Sequence, residues 1–125
     1  MTIKGFHHVA IYTDDLAKSK AFYEAIGAKE VHSFVSAGSG KEILLMELAK
    51  GAVFELIQKP AQKCEGAFPH VAIETDDCKA LFDVAVKAGA TVDSPVREMA
   101  LGTMNVKNAF LKGPDGEIIE FFEVL

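Results

Sequence analysis

An internal repeat is the feature that most constrains this chain. Residues 6–15 read FHHVAIYTDD and residues 68–77 read FPHVAIETDD, so eight of ten positions are identical at an offset of 62 residues. The same offset sets Gly27-Ala28 against Gly89-Ala90. The halves also end alike, with Val53-Phe54-Glu55-Leu56-Ile57 answering Ile118-Ile119-Glu120-Phe121-Phe122. A duplicated chain of this kind folds as two similar modules. Each should open with a histidine on a strand and close with a glutamate on a strand.

With 125 residues, the chain has the length of one domain, and a domain of this size buries roughly two-thirds of its unfolded surface. The expected organisation is therefore a single domain over residues 1–125, with module one at 1–59, a linker at 60–67 and module two at 68–125. A net charge of −5 and a single arginine, Arg97, argue against a nucleic-acid footprint. Two cysteines, Cys64 and Cys78, are too few for a disulfide framework, and no apolar run is long enough to span a bilayer. These features point to a soluble protein of the reducing cytoplasm. Cys78 reads as a small core residue.

Alternation from Phe6 to Thr13 predicts a strand with His8 on one face, and by the same alternation His7 should point away from His8. Asp14-Asp15 start a helix that stops at Gly27. Strands are expected over Lys29–Ala37, Glu42–Ala49 and Ala52–Lys59. The order then repeats: a strand over Phe68–Thr75, a helix from Asp76-Asp77 to Gly89, and a weaker strand over Thr91–Glu98 whose Pro95 suits an edge. Met99–Gly102 reads as a loop, followed by a hairpin of Thr103–Lys112 and Glu117–Val124 closed by Gly113-Pro114-Asp115-Gly116. The fold class is α+β: two tandem βαβββ modules whose curved mixed sheets are expected to enclose a metal-binding cleft.

The first and last strands of each module should share a sheet, which sets His8 with Glu55 and His70 with Glu120. Unpaired carboxylates are costly to bury, so two matched histidines and two matched glutamates are better explained as an N2O2 ligand set for a divalent transition ion. His32 reads as an ordinary strand histidine. Tyr12 and Glu74 occupy equivalent repeat positions four residues past their histidines and are candidate substrate contacts. Met46, Met99, Met104, Phe110 and Phe122 are candidates for an apolar pocket lining, and Arg97 and Lys107 for holding an anionic substrate.

These residues resemble the vicinal oxygen chelate superfamily, which includes glyoxalase I, methylmalonyl-CoA epimerase, extradiol dioxygenases and the fosfomycin and bleomycin resistance proteins. The resemblance rests on HHVAI and PHVAI, on VFELI and IIEFFE, on the DD-helix-G modules and on the GPDG hairpin, and it covers essentially the whole chain. It is strongest to the short bacterial glyoxalase-type members, whose metal ligands fall at the positions of His8, Glu55, His70 and Glu120. It implies a metal-dependent lyase or isomerase acting on a small carbonyl substrate through a metal-bound enediolate. The ion would be Ni, Co, Zn or Mn. Glu120 would be the general base, with Glu55 as its symmetry-related alternative. It also implies a homodimer. One departure matters: glyoxalase I has a glutathione-binding arginine four residues after the first metal histidine, where this chain has Tyr12, so strict glutathione use is not expected. The alternatives are an iron-dependent ring-cleaving dioxygenase, for which Glu55 would be superfluous, and a metal-free antibiotic-binding protein, which needs no acidic ligands.

Overall fold

The computed structural model of the protein describes residues 1–2, 4, 7–59, 70–101 and 103–125. Its chain divides into two compact units, Met1–Gln62 and Lys63–Leu125. The expected linker at 60–67 lies outside the described residues.

The first unit holds β1 (Val9–Thr13), α1 (Leu16–Ala25), β2 (Lys29–Val35), β3 (Glu42–Ala49) and β4 (Ala52–Gln58). The second holds β5 (Val71–Glu74), α2 (Cys78–Lys87), β6 (Thr91–Leu101), β7 (Met104–Lys112) and β8 (Ile118–Val124). Each unit is thus a βαβββ module with one four-stranded sheet. The strand orders match, β1-β4-β3-β2 and β5-β8-β7-β6. In both sheets the first strand pairs in parallel with the last and the other pairs are antiparallel. Each sheet is open, with its first and second strands as edges.

The repeat in sequence becomes a repeat in capping. Asp15 and Asp77 are N-caps whose side chains accept from Lys18 N at 3.1 Å and Ala80 N at 2.9 Å. At the other ends, Gly27 and Gly89 have φ of +112° and +106°. Ala28 N donates to Tyr23 O and Gly27 N to Glu24 O, while Ala90 N donates to Ala85 O and Gly89 N to Val86 O. Both helices therefore end in a Schellman motif, which needs the left-handed backbone that glycine adopts without strain.

Each helix covers one sheet face. In the first unit Phe22 and Tyr23 of α1 meet Phe54 and Leu56 of β4 and Leu44 and Met46 of β3, all buried; the Tyr23 and Phe54 rings lie 5.2 Å apart at 67°. In the second, Cys78 and Ala85 of α2 share the buried core with Ile119 and Phe121 of β8 and Ala109 and Leu111 of β7. Met46 is thus core and not pocket lining. Full burial of a Phe or Leu side chain contributes about 1.5–3 kcal/mol. Strand alternation then sends Glu55 and Glu120 to the face opposite the helix.

Two sequence expectations are corrected. Met99–Leu101 is strand and not loop, because Met99, Ala100 and Leu101 pair with Val106, Asn105 and Met104. The edge position expected for Pro95 is observed, at the register shift between Ser94 and Arg97. His7 does not turn away from His8: their rings meet edge-on, with centroids 5.1 Å apart and the two Nδ1 atoms at 2.9 Å. Both residues precede β1, so strand alternation does not govern them. Among the described residues, no helix is long and apolar enough to cross a membrane.

Candidate functional site: two histidine–glutamate pairs

In the first unit the register Ala10↔Glu55 and Tyr12↔Ile57 puts Ala10 and Tyr12 on the face that carries Glu55, and His8, just before β1, reaches the same carboxylate. His8 Nε2 lies 3.7 Å from Glu55 Oε2. The second unit repeats this through Ala72↔Glu120 and Glu74↔Phe122, with His70 Nε2 3.1 Å from Glu120 Oε2. A parallel pairing of first and last strands is what brings residues 47 or 50 positions apart onto one face. Each pair offers an imidazole nitrogen and a carboxylate oxygen, the donor types that divalent transition ions take. The donor chemistry fits such an ion. Among the described residues, no group of three or more His, Cys, Asp or Glu side chains gathers as one cluster; the donors are organised by twos.

The pairs differ in their surroundings. Glu55 has a partly exposed side chain. Glu120 is 8 % exposed, and its Oε1 accepts a hydrogen bond from Asn108 Nδ2 at 3.0 Å. Asn108 Oδ1 in turn accepts a long one from Arg97 Nε at 3.4 Å. The Phe110 ring stands edge-on to His70, with centroids 5.3 Å apart at 87°. Arg97, Asn108, Glu120, His70 and Phe110 thus form one continuous set on the face opposite α2.

The other expected contacts scatter. Tyr12 is exposed on the His8 face, with Lys59 Nζ 4.9 Å above its ring, so a cation neighbours this position although the residue itself is neutral. Glu74 is exposed on the His70 face. Met104 is exposed at the start of β7, paired with Leu101. Lys107 belongs to the opposite, helix-side face, where its Nζ is 3.9 Å from Glu98. Arg97 is engaged with Asn108 before any anion. His32 lies on the Glu55 face two strands away, its ring 5.9 Å from that of Phe34. A shallow cavity of about 310 Å³ lies by the start of α1, lined by Asp15, Lys20 and Leu44 among others. Leu44 belongs to the helix-side face, so this cavity is separate from the His8–Glu55 pair.

Cys78 is buried at the start of α2, and its Sγ donates to Phe121 O at 3.7 Å. Burial, and then the neighbouring Glu123 carboxylate, push its thiol above the ordinary value. A thiol held neutral is a poor nucleophile, which leaves Cys78 a core residue.

The sequence profile of the Glyoxalase/Bleomycin resistance protein/Dioxygenase superfamily matches residues 5–121. The chain belongs to this superfamily. It is 29 % identical over 126 residues to an uncharacterized protein of Bacillus subtilis, YwbC, covering 96 % of this chain and 98 % of the relative. It is 30 % identical over 129 residues to a probable lactoylglutathione lyase of Vibrio parahaemolyticus, covering 93 % and 88 %. Among solved structures, a glyoxalase family protein from Bacillus cereus superposes with a TM-score of 0.78 at 19 % identity, covering 100 % and 97 %, which shows the shared fold. A trypanothione-dependent glyoxalase I from Leishmania major superposes with a TM-score of 0.75 at 26 % identity, covering 97 % and 87 %.

Asn108 was the residue that sequence reading missed. A signal for it exists: a lone polar side chain between Val106 and Phe110 on one strand face, where the first unit has Ile43.

Proposed function

We propose that this superfamily member is a metal-dependent lyase or isomerase of glyoxalase type, acting on a small carbonyl substrate. The observation that carries the reading is the register-matched recurrence of a His–Glu pair in each unit, at 3.7 Å and 3.1 Å. The name of the Vibrio relative supports the lyase class. In this reading His8, Glu55, His70 and Glu120 hold one divalent ion. When bound, such an ion is a Lewis acid that polarises carbonyl oxygens and eases loss of the neighbouring proton.

The chain's own groups do the rest. The Glu120 carboxylate takes the proton from the carbon beside the carbonyl and returns it to the adjacent carbon, so substrate and product are isomers and no outside oxidant is needed. Glu55 is the alternative carrier. Phe110, edge-on to His70, fixes the imidazole plane and keeps water from that side. Tyr12 replaces a guanidinium with a neutral ring, which disfavours strict glutathione use; Lys59 beside it leaves room for another anionic thiol adduct. The Leishmania enzyme, which is trypanothione-dependent by name, supports a thiol that varies within the fold. By the same family resemblance we propose a homodimer.

The test is to load the protein with Ni²⁺, Co²⁺ or Zn²⁺ and follow methylglyoxal with several thiols, reading exchange of the substrate's α-proton with solvent. Metal-dependent exchange and turnover are expected. Oxygen consumption with a catechol would move the protein to the dioxygenase class, and tight binding of bleomycin without turnover would make it a binding protein.

A further inference from the structure

The two His–Glu pairs are built from the same repeat, yet their third neighbours differ. Opposite Glu55 and Ile57 on β4 stand Leu45 and Ile43 of β3. Opposite Glu120 and Phe122 on β8 stand Phe110 and Asn108 of β7. Asn108 therefore takes the place of Ile43, and an amide replaces an apolar side chain beside one glutamate only. Asn108 is 4 % exposed, and burying an amide is costly unless both its ends are bonded. Both are: Nδ2 donates to Glu120 Oε1 at 3.0 Å, and Oδ1 accepts from Arg97 Nε at 3.4 Å.

We propose that Asn108 is a positioning residue for Glu120, oriented by Arg97, and that it makes the His70–Glu120 pair the pre-organised half of the ligand set. The amide occupies Oε1, so Oε2 is the oxygen presented beside His70 Nε2 at 3.1 Å. Arg97 sets the sense of the amide. A flipped Asn108 would turn its carbonyl oxygen against a carboxylate, and its NH2 against a guanidinium N–H, losing both bonds. In the first unit Ile43 can donate nothing, and the corresponding His8–Glu55 distance is longer, 3.7 Å. Partners that orient metal ligands from behind typically change affinity about 10–100-fold when removed.

This inference rests on the metal reading above, and its test separates the two. Co²⁺ is titrated into metal-free wild type, N108A, R97A and the N108A/R97A double variant by calorimetry, with the visible Co²⁺ bands recorded. N108A should weaken Co²⁺ binding about tenfold or more and shift the bands. R97A, a change at an exposed residue that leaves the core intact, should weaken it less. The double variant should be no weaker than N108A alone, because Arg97 acts through Asn108. Wild-type affinity in N108A, or fully additive losses, would overturn the proposal. If wild type takes up no Co²⁺, the metal reading fails instead, and positioning is decided in the metal-free protein. There the ¹⁵N side-chain amide signal of Asn108 should be protected from solvent exchange and should move in both E120A and R97A. An unprotected signal, unchanged in both variants, would overturn it on that ground.

Discussion

His70 Nε2 and Glu120 Oε2 stand 3.1 Å apart, within hydrogen-bond reach, on one face of the second sheet. The carboxylate beside this imidazole is nearly buried, and in the proposed reaction it handles the substrate proton. Glu120→Gln keeps the size of the side chain and removes its ability to take a proton. Turnover should fall about 10²–10⁴-fold, with far-ultraviolet circular dichroism unchanged. Full activity would pass the role to Glu55, and Glu55→Gln assayed in parallel distinguishes the two.

The ring of Tyr12 is exposed, with Lys59 Nζ 4.9 Å above it, and in the proposed function it is the residue that sets the choice of thiol. Restoring a guanidinium should favour a carboxylate-bearing adduct. A hydrogen bond to a charged group contributes about 1.5–3 kcal/mol, and solvent at this exposed position brings the expectation to the lower end, about tenfold in kcat/KM. Tyr12→Arg should thus raise use of the glutathione hemithioacetal relative to smaller thiols. Efficient turnover of that adduct by the unaltered protein would show that Tyr12 does not set the preference.

Cys78 gives a prediction about pH. Its thiol is pushed up from the ordinary 9.0 by burial and then by Glu123, so the folded state holds the thiol proton more tightly than the unfolded chain does. That contribution is fully present below pH 9 and is lost as pH rises through the folded value. Chemical denaturation of wild type should therefore show stability declining above pH 9, with a smaller decline in Cys78→Ala. With Cys64 replaced by alanine, so that Cys78 is the remaining thiol, a thiol reagent at pH 8 should label the folded protein slowly and the denatured protein at once. Rapid labelling of the native state would show the thiol to be accessible.

Much of this fold was legible because the repeat states its rules twice. Asp15 and Asp77 announced the helix starts, Gly27 and Gly89 the stops, and the Glu55 and Glu120 echoes the closing strands; each is a local signal with a local cause. Long-range pairing was not legible. Met99–Leu101 looked like a loop because its strand character comes from β7 across the hairpin. Alternation alone misplaced His7, which precedes the strand whose pleat it was assumed to share. Lys107 was grouped with Arg97 as a candidate anion contact, but alternation along β7 separates it from Asn108 and Phe110. Asn108 itself is chemically ordinary in sequence. Only the register that seats it beside Phe122 and within 3.0 Å of Glu120 gives it a part in the site.

The proposed homodimer rests on family resemblance and is tested independently of chemistry. Sedimentation at micromolar concentration should give about twice the 13.5 kDa chain mass. A species of single-chain mass would remove the homodimer from the proposal while leaving the ligand set untouched.

The central claim is that His8, Glu55, His70 and Glu120 are ligands of one divalent ion, and metal stoichiometry tests it most directly. Wild type grown with Ni²⁺, Co²⁺ and Zn²⁺, then H8A, E55A, H70A and E120A, would each be desalted and measured by elemental analysis against protein concentration. The account predicts one ion per complete ligand set in wild type and a sharp loss of metal in all four variants, each of which should still melt cooperatively. No metal in wild type, or wild-type stoichiometry and affinity retained in H70A and E120A, would contradict it.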